Sequence, residues 1–162
     1  MEHSSGALLY SFSPDNEIGV ILGLENNHWL PFKGTNNINE TYEEAAIREI
    51  FEETCGLVKI DVINLDHSFS TKYKHYHIGL VEVPFSIVND FTKQRQIENR
   101  CEFIEKKSIK FFPLNELKNN LYIHSITMSS ILFYWNKLIT AKKGIGFIKS
   151  NKNERIRYLA VY

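Results

Sequence analysis

Runs of branched and alternating apolar residues dominate the first part of the chain. Ala7 to Phe12 reads as a strand closed by the turn signal Ser13-Pro14-Asp15-Asn16, and Ile18 to Leu24 reads as a second. Glu25-Asn26-Asn27 then turns the chain into an extended run, His28 to Phe32, followed by a polar loop from Gly34 to Asn39. After this the period becomes helical. Thr41 with Glu44 three residues later predicts a capping box, and a helix running to Thr54 with Gly56 as its C-terminal cap. Ala46, Ile47, Ile50 and Phe51 share its apolar face. Val58 to Leu65 and His75 to Val83 predict further strands, and Pro84 to Lys107 reads as a long polar loop with some helix. Ile109 to Pro113 predicts a strand feeding a short helix, Leu114 to Lys118, and His124 to Ile139 a longer helix. Strands precede, separate and follow helices, so the expected class is α/β with a mixed sheet.

At 162 residues with 43% apolar positions, one domain with a substantial core is expected. The composition excludes disorder as the dominant state, and no stretch approaches the roughly 18 apolar residues of a membrane span. The first residues lack the basic and apolar regions of a secretory signal. Cys55 and Cys101 have no zinc-site spacing and are expected as reduced thiols in a cytoplasmic setting. Charge divides the chain. Lys142, Lys143, Lys149, Lys152, Arg155 and Arg157 face Glu154 alone, so residues 141–162 carry a net +5 beside a body of −5. The expected organisation is a domain over residues 1–140 and a basic extension over 141–162.

The chemistry lies on the Thr41 helix. Glu49, Glu52 and Glu53 fall on one face at spacings where like charges repel by roughly 0.2–0.5 kcal/mol per pair, with Arg48 beside them and no lysine between Thr41 and Thr54. A solvated helix face is the ordinary explanation of a charge run. A site for a divalent cation, which takes hard oxygen ligands, is the functional one.

The spacing extends the pattern. Gly34, five residues, Glu40, seven residues, Arg48-Glu49-Ile50, one residue, then Glu52-Glu53 resembles the signature of the Nudix hydrolases from Gly34 to Glu53. The likeness departs afterwards, because Thr54 and Cys55 both precede Gly56 where the family has a single residue before its glycine. The resemblance implies a Nudix α/β/α sandwich with a mixed β-sheet between helices. It also implies hydrolysis of a nucleoside diphosphate linked to another moiety, using Mg²⁺ or Mn²⁺. On that basis Glu49, Glu52 and Glu53 are expected metal ligands, with one doubling as general base and Arg48 orienting them. Gly34 is expected to bring a backbone carbonyl to the metal, and Glu40 to act as an accessory carboxylate. Of the carboxylates outside the motif, Glu102 is favoured over Glu98 and Glu105.

Trp29-Leu30-Pro31-Phe32-Lys33-Gly34 is similar to a run in Nudix enzymes acting on mRNA caps, dinucleoside polyphosphates or diphosphoinositol phosphates. Lys33 is a candidate phosphate contact and Trp29 a candidate base-stacking residue, against ordinary roles as loop lysine and packed aromatic. Cap-like or dinucleoside substrates are favoured, then diphosphoinositol polyphosphates, then nucleoside triphosphates. RNA is a candidate partner of the basic tail; the alternative for the tail is a hairpin packed on the body. His75 and His77 share one side of a strand and read as its solvated polar positions. The competing functional class is a Nudix-fold module that binds nucleotide or RNA without cleaving it; retention of all three glutamates speaks against it.

Overall fold

The computed structural model describes residues 1–97, 105–120, 122–144, 147–152 and 155–160. The first strand, β1 (Glu2–Phe12), is the spine of a seven-stranded mixed sheet. It pairs in parallel with β7 (Lys74–Glu82) along one edge. Its other edge is shared between two partners. Residues Leu9–Phe12 pair with β2 (Ile18–Glu25), and Ser4–Ala7 pair with β4 (Phe32–Thr35). β1 and β2 therefore part at Leu9. The hairpin strand β3 (His28–Leu30) first follows β2, and β4 then crosses to β1. Pro31 stands at the crossing, where its missing N–H costs no ladder bond. This break replaces the single strand expected over 28–32. β8 (Ser108–Pro113) covers the far edge of β2, and β6 (His67–Ser70) that of β7.

Strict alternation divides the sheet into two faces. Ala7, Leu9 and Ile21 point to one cluster, with Ala46 and Ile50 of α1 (Tyr42–Glu53) and Ile87 and Phe91 of α2 (Ile87–Ile97). Leu8, Val20 and Leu22 point to the other, with Leu114 and Leu117 of a 3₁₀ turn (Leu114–Asn119), Ile131 of α3 (Ser125–Phe133) and Leu138 of α4 (Trp135–Thr140). The result is the expected α/β/α sandwich. α2 lies inside the segment read as mostly loop. The predicted helix from 124 to 139 is divided at Tyr134, whose buried hydroxyl donates to the Ile78 carbonyl at 2.6 Å. Burial raises that phenol to about 12, so it remains a donor.

The strand expected over 58–65 shrinks to β5 (Val58–Lys59). Beyond it Ile60 and Ile63 are buried as anchors of an irregular segment. β5 pairs in parallel with β10 (Arg155–Ala160), which forms an antiparallel hairpin with β9 (Phe147–Lys152). β9 and β10 therefore form the hairpin considered as one alternative for the basic tail. Cys55 is disulfide-bonded rather than a reduced thiol, and Cys101 lies outside the described residues. Among the described residues no helix is long and apolar enough to cross a membrane.

Gly6 is where β4 presses on β1. A Cβ there would overlap the Phe32 carbonyl oxygen. Gly6→Ala should therefore destabilise the fold by about 2–3 kcal/mol, the cost of an overpacked position. Urea denaturation measures this, and an unchanged midpoint would contradict the β1–β4 register.

Candidate active site

α1 begins with the expected capping box. The Thr41 hydroxyl accepts from the Glu44 N–H at 3.1 Å, while Glu44 Oε1 accepts from the Thr41 N–H. Its end differs from expectation. The Cys55 N–H reaches the Glu52 carbonyl and the Gly56 N–H the Phe51 carbonyl, the paired bonds of a Schellman motif. Cys55, at φ 60°, holds the left-handed position that glycine usually fills, and Gly56, at φ 77°, follows it. Position 55 is where the family signature has its glycine. The departure is thus a cysteine at the glycine position with the helix end intact, and it lies beyond every carboxylate.

Arg48 organises the polar face. Its Nε and Nη2 donate to Glu40 Oε2 and Oε1 at 2.7 and 2.9 Å, a two-pronged contact. Nη1 donates to Glu49 Oε1 at 2.8 Å and Glu52 Oε2 at 3.1 Å, and Nη2 also reaches the Thr35 carbonyl. These bonds, that from Glu40 first, raise the guanidinium above its ordinary value and lower Glu40. Glu40 Oε1 also accepts from the Asn37 N–H at 2.9 Å. One guanidinium thereby ties the helix to the end of β4, the strand that carries Gly34.

The three helix carboxylates differ in surroundings. Glu52 is about half exposed. Glu49 is mostly covered and lies against Gly34, where any Cβ would overlap its carboxylate. Burial raises its pKa in spite of Arg48. Glu53 is 8% exposed, its Oε2 has no hydrogen-bond partner, and burial pushes it up to about 7.

Beside Glu53 lies a charge group in which the sequence reading singles out Lys33 and Glu105 but neither Lys106 nor Glu25. Lys106 is fully buried, its stem packed where a Cβ on Gly23 would stand and its Nζ 2.8 Å from Glu25 Oε2. Glu25 would be raised by burial, but a hydrogen bond from Glu105 and the Lys106 charge bring it below the usual carboxylate range. The same contact with Glu25 raises Glu105. Lys33 joins this group; burial and then repulsion from Lys106 lower its pKa, and its Nζ lies 5.5 Å over the Tyr76 ring. Trp29 stands apart, packed edge-on against Phe112 at 5.0 Å, with its carbonyl accepting from Thr127. Glu102 lies outside the described residues. Nothing in composition marks Lys106 as buried, since lysines are almost always exposed.

The family model for the NUDIX domain matches residues 7–130. The chain belongs to the Nudix family. Nudix proteins hydrolyse pyrophosphate bonds, and members generally use divalent metals. No curated protein matches the chain in sequence. Solved Nudix structures share its fold at low identity. A Caenorhabditis elegans Ap4A hydrolase is 15% identical, with 87% of this chain and all of that one covered at a TM-score of 0.57. A MutT/Nudix protein from Listeria innocua is 18% identical over 86% of this chain and 98% of its own, at 0.60. The Nudix domain of Shewanella oneidensis NrtR, complexed with ADP-ribose, is 13% identical over 83% and 87%, at 0.61.

The Nudix helix fits a divalent cation by its donors: hard oxygens, one of them buried and unpartnered, and a side-chain-free approach at Gly34. Among the described residues no three such groups already converge as a ligand set. Arg48 instead draws Glu49 and Glu52 to itself.

The Glu53 shift has a stability consequence. Its folded pKa is raised from 4.5 to about 7, so its favourable protonated state is complete below about pH 4.5 and lost as pH rises through 7. With metal chelated, Glu53→Gln should gain on the wild type by up to about 3 kcal/mol between pH 5 and pH 8. Urea midpoints in chelator across that range test this; parallel pH profiles for the two proteins would refute it.

Proposed function

We propose that this Nudix chain is an Mg²⁺- or Mn²⁺-dependent pyrophosphohydrolase for a nucleoside diphosphate linked to a second moiety. Dinucleoside polyphosphates and cap-like compounds are favoured, ahead of diphosphoinositol polyphosphates and nucleoside triphosphates. The observation that carries the reading is Glu53, a buried carboxylate with a free oxygen on the face shared with Glu49 and Glu52. A divalent cation supplies Lewis acidity and charge neutralisation in such chemistry.

Glu49, Glu52, Glu53 and the Gly34 carbonyl are assigned to hold the metal. Arg48 orients Glu49 and Glu52, and Glu40 anchors Arg48. Glu53, near neutrality, is suited to accept a proton from the attacking water, since a general base works best with a pKa near the operating pH. Lys33 is assigned to a substrate phosphate. Lys106 already engages Glu25, which leaves the Lys33 ammonium over a ring rather than on a carboxylate. Trp29 and Glu102 remain candidates for contacts to the substrate. The Ap4A hydrolase likeness and the Trp29 to Gly34 run support the dinucleoside class.

A panel of dinucleoside polyphosphates, capped RNA, diphosphoinositol polyphosphate and nucleoside triphosphates, with Mg²⁺ and Mn²⁺, tests the reading. Glu52→Gln and Glu53→Gln should abolish turnover with the fold retained, and wild-type rates in either would defeat the assignment. Arg48→Gln should cost about 10–100-fold in metal affinity or activity, as loss of a residue that orients ligands does.

The basic extension, residues 141–162, is assigned to long polyanionic substrates such as RNA. Affinity for single-stranded RNA should then fall with salt at a log–log slope of roughly −0.7 per phosphate neutralised, and removing residues 141–162 should flatten it. A truncation that leaves affinity and slope unchanged would reduce the extension to the strand pairing it makes with β5.

A further inference from the structure

His3 of β1, His77 of β7 and Tyr42 of α1 meet at the N-terminal end of the helix that bears the carboxylates. The His3 Nδ1 and His77 Nε2 atoms are 2.9 Å apart. The two ring planes are within 10° of parallel, with centroids 5.2 Å apart, a separation equal to the N···N distance plus the two ring radii. The rings are therefore coplanar and joined end to end. A metal ion between two nitrogens in line would need about 4 Å, twice an ordinary zinc–nitrogen bond, so the bridging particle is a proton. Ser68 Oγ, 3.0 Å from His77 Nδ1, fixes the ring from behind, and Tyr42 covers the pair with its centroid 3.8 Å from that of His77. The same stretch of β1 also holds the loop before the helix, through the His3 backbone and the Ser5 side chain. The His3 carbonyl accepts from the Asn36 N–H at 2.9 Å, and Asn36 Oδ1 accepts from Ser5.

We propose that His3, His77 and Tyr42 form a proton-operated latch that positions the first turn of α1, and with it the Glu40–Arg48 contact. This rests on the reading of α1 as the catalytic helix. An imidazole pair with none or one extra proton keeps its N–H···N bond; a pair with two places donor against donor and parts. The surrounding charges favour parting in acid. From β7, His75 stacks near His3, and Lys74 lies 3.7 Å from Glu2 of β1. From α1 only Glu43 favours the charged form of His77, and β6 contributes the neutral Ser68 and Ser70. Burial, then His3 and His75, hold His77 below the ordinary imidazole range. The latch is closed at neutral pH and opens in acid, once the pair takes up its second proton.

Amide hydrogen exchange of the metal-free protein, read by NMR, tests this without recourse to activity. Between pH 7.5 and 5.5, the protection of Ala45 and Ala46 should fall about tenfold relative to Ile131 in α3. His77→Phe keeps a ring under Tyr42 but takes no proton, and its protection ratio should not vary with pH. His3→Asn should behave likewise and serves if the first variant does not fold. A wild-type ratio that is flat with pH, or a variant that follows the wild type, overturns the latch. Loss of the latch with hydrolysis intact would leave the carboxylate reading standing, and the converse result would leave the latch.

Discussion

Three carboxylates share one cation in this protein while a fourth is left beside them, and the rest of the site follows from that. Glu49, Glu52 and Glu53 crowd one helix face, and Glu40 precedes the helix on the same side. In isolation the arrangement destabilises α1. Arg48 relieves it by reaching Glu40, Glu49 and Glu52 together with the Thr35 carbonyl. A lysine lacks the planar fork needed to meet these acceptors at once. Glu53 is left out of this arrangement. Burial raises its pKa against the opposing charge of Lys106, and its Oε2 has no hydrogen-bond partner.

The parting of β1 and β2 explains why charges accumulate beside Glu53. Where the two strands separate, β3 and β4 fill the gap and bring Lys33 and Gly34 next to the helix. Glu25, at the end of β2, and Lys106, just before β8, close the same region from the other side. A buried ion pair of this kind is weak evidence for stability, because desolvation offsets much of the attraction. The pair places a buried cation and a partly buried anion beside Glu53 and Lys33.

The two ends of α1 are restrained differently. At the start, a capping box closes the first turn, and the Tyr42 ring joins the helix to β1 and β7. At the finish, two consecutive left-handed residues turn the chain sharply toward β5, and the non-glycine residue there, Cys55, is buried and disulfide-bonded. Both restraints lie outside the Arg48–Glu53 stretch.

Local pattern was enough for α1, its capping box, the helix-borne carboxylates and the strands whose alternation is strict, because each is set by neighbours within four residues. Gly34, Glu40 and Arg48 were legible for a different reason, the spacing of a family signature. The sequence misled where distant partners decide. Val58 to Leu65 has strand composition but finds a ladder only at Val58–Lys59, and His28 to Phe32 breaks at Pro31 because two diverging strands each claim part of it. Lys106, Glu25 and the His3–His77 pair lie 81 and 74 residues apart in sequence and meet only through sheet pairing. Burial of a lysine and the head-to-head contact of two imidazoles are properties of that pairing. Periodicity encodes which way a side chain faces, and only the tertiary fold decides what it faces.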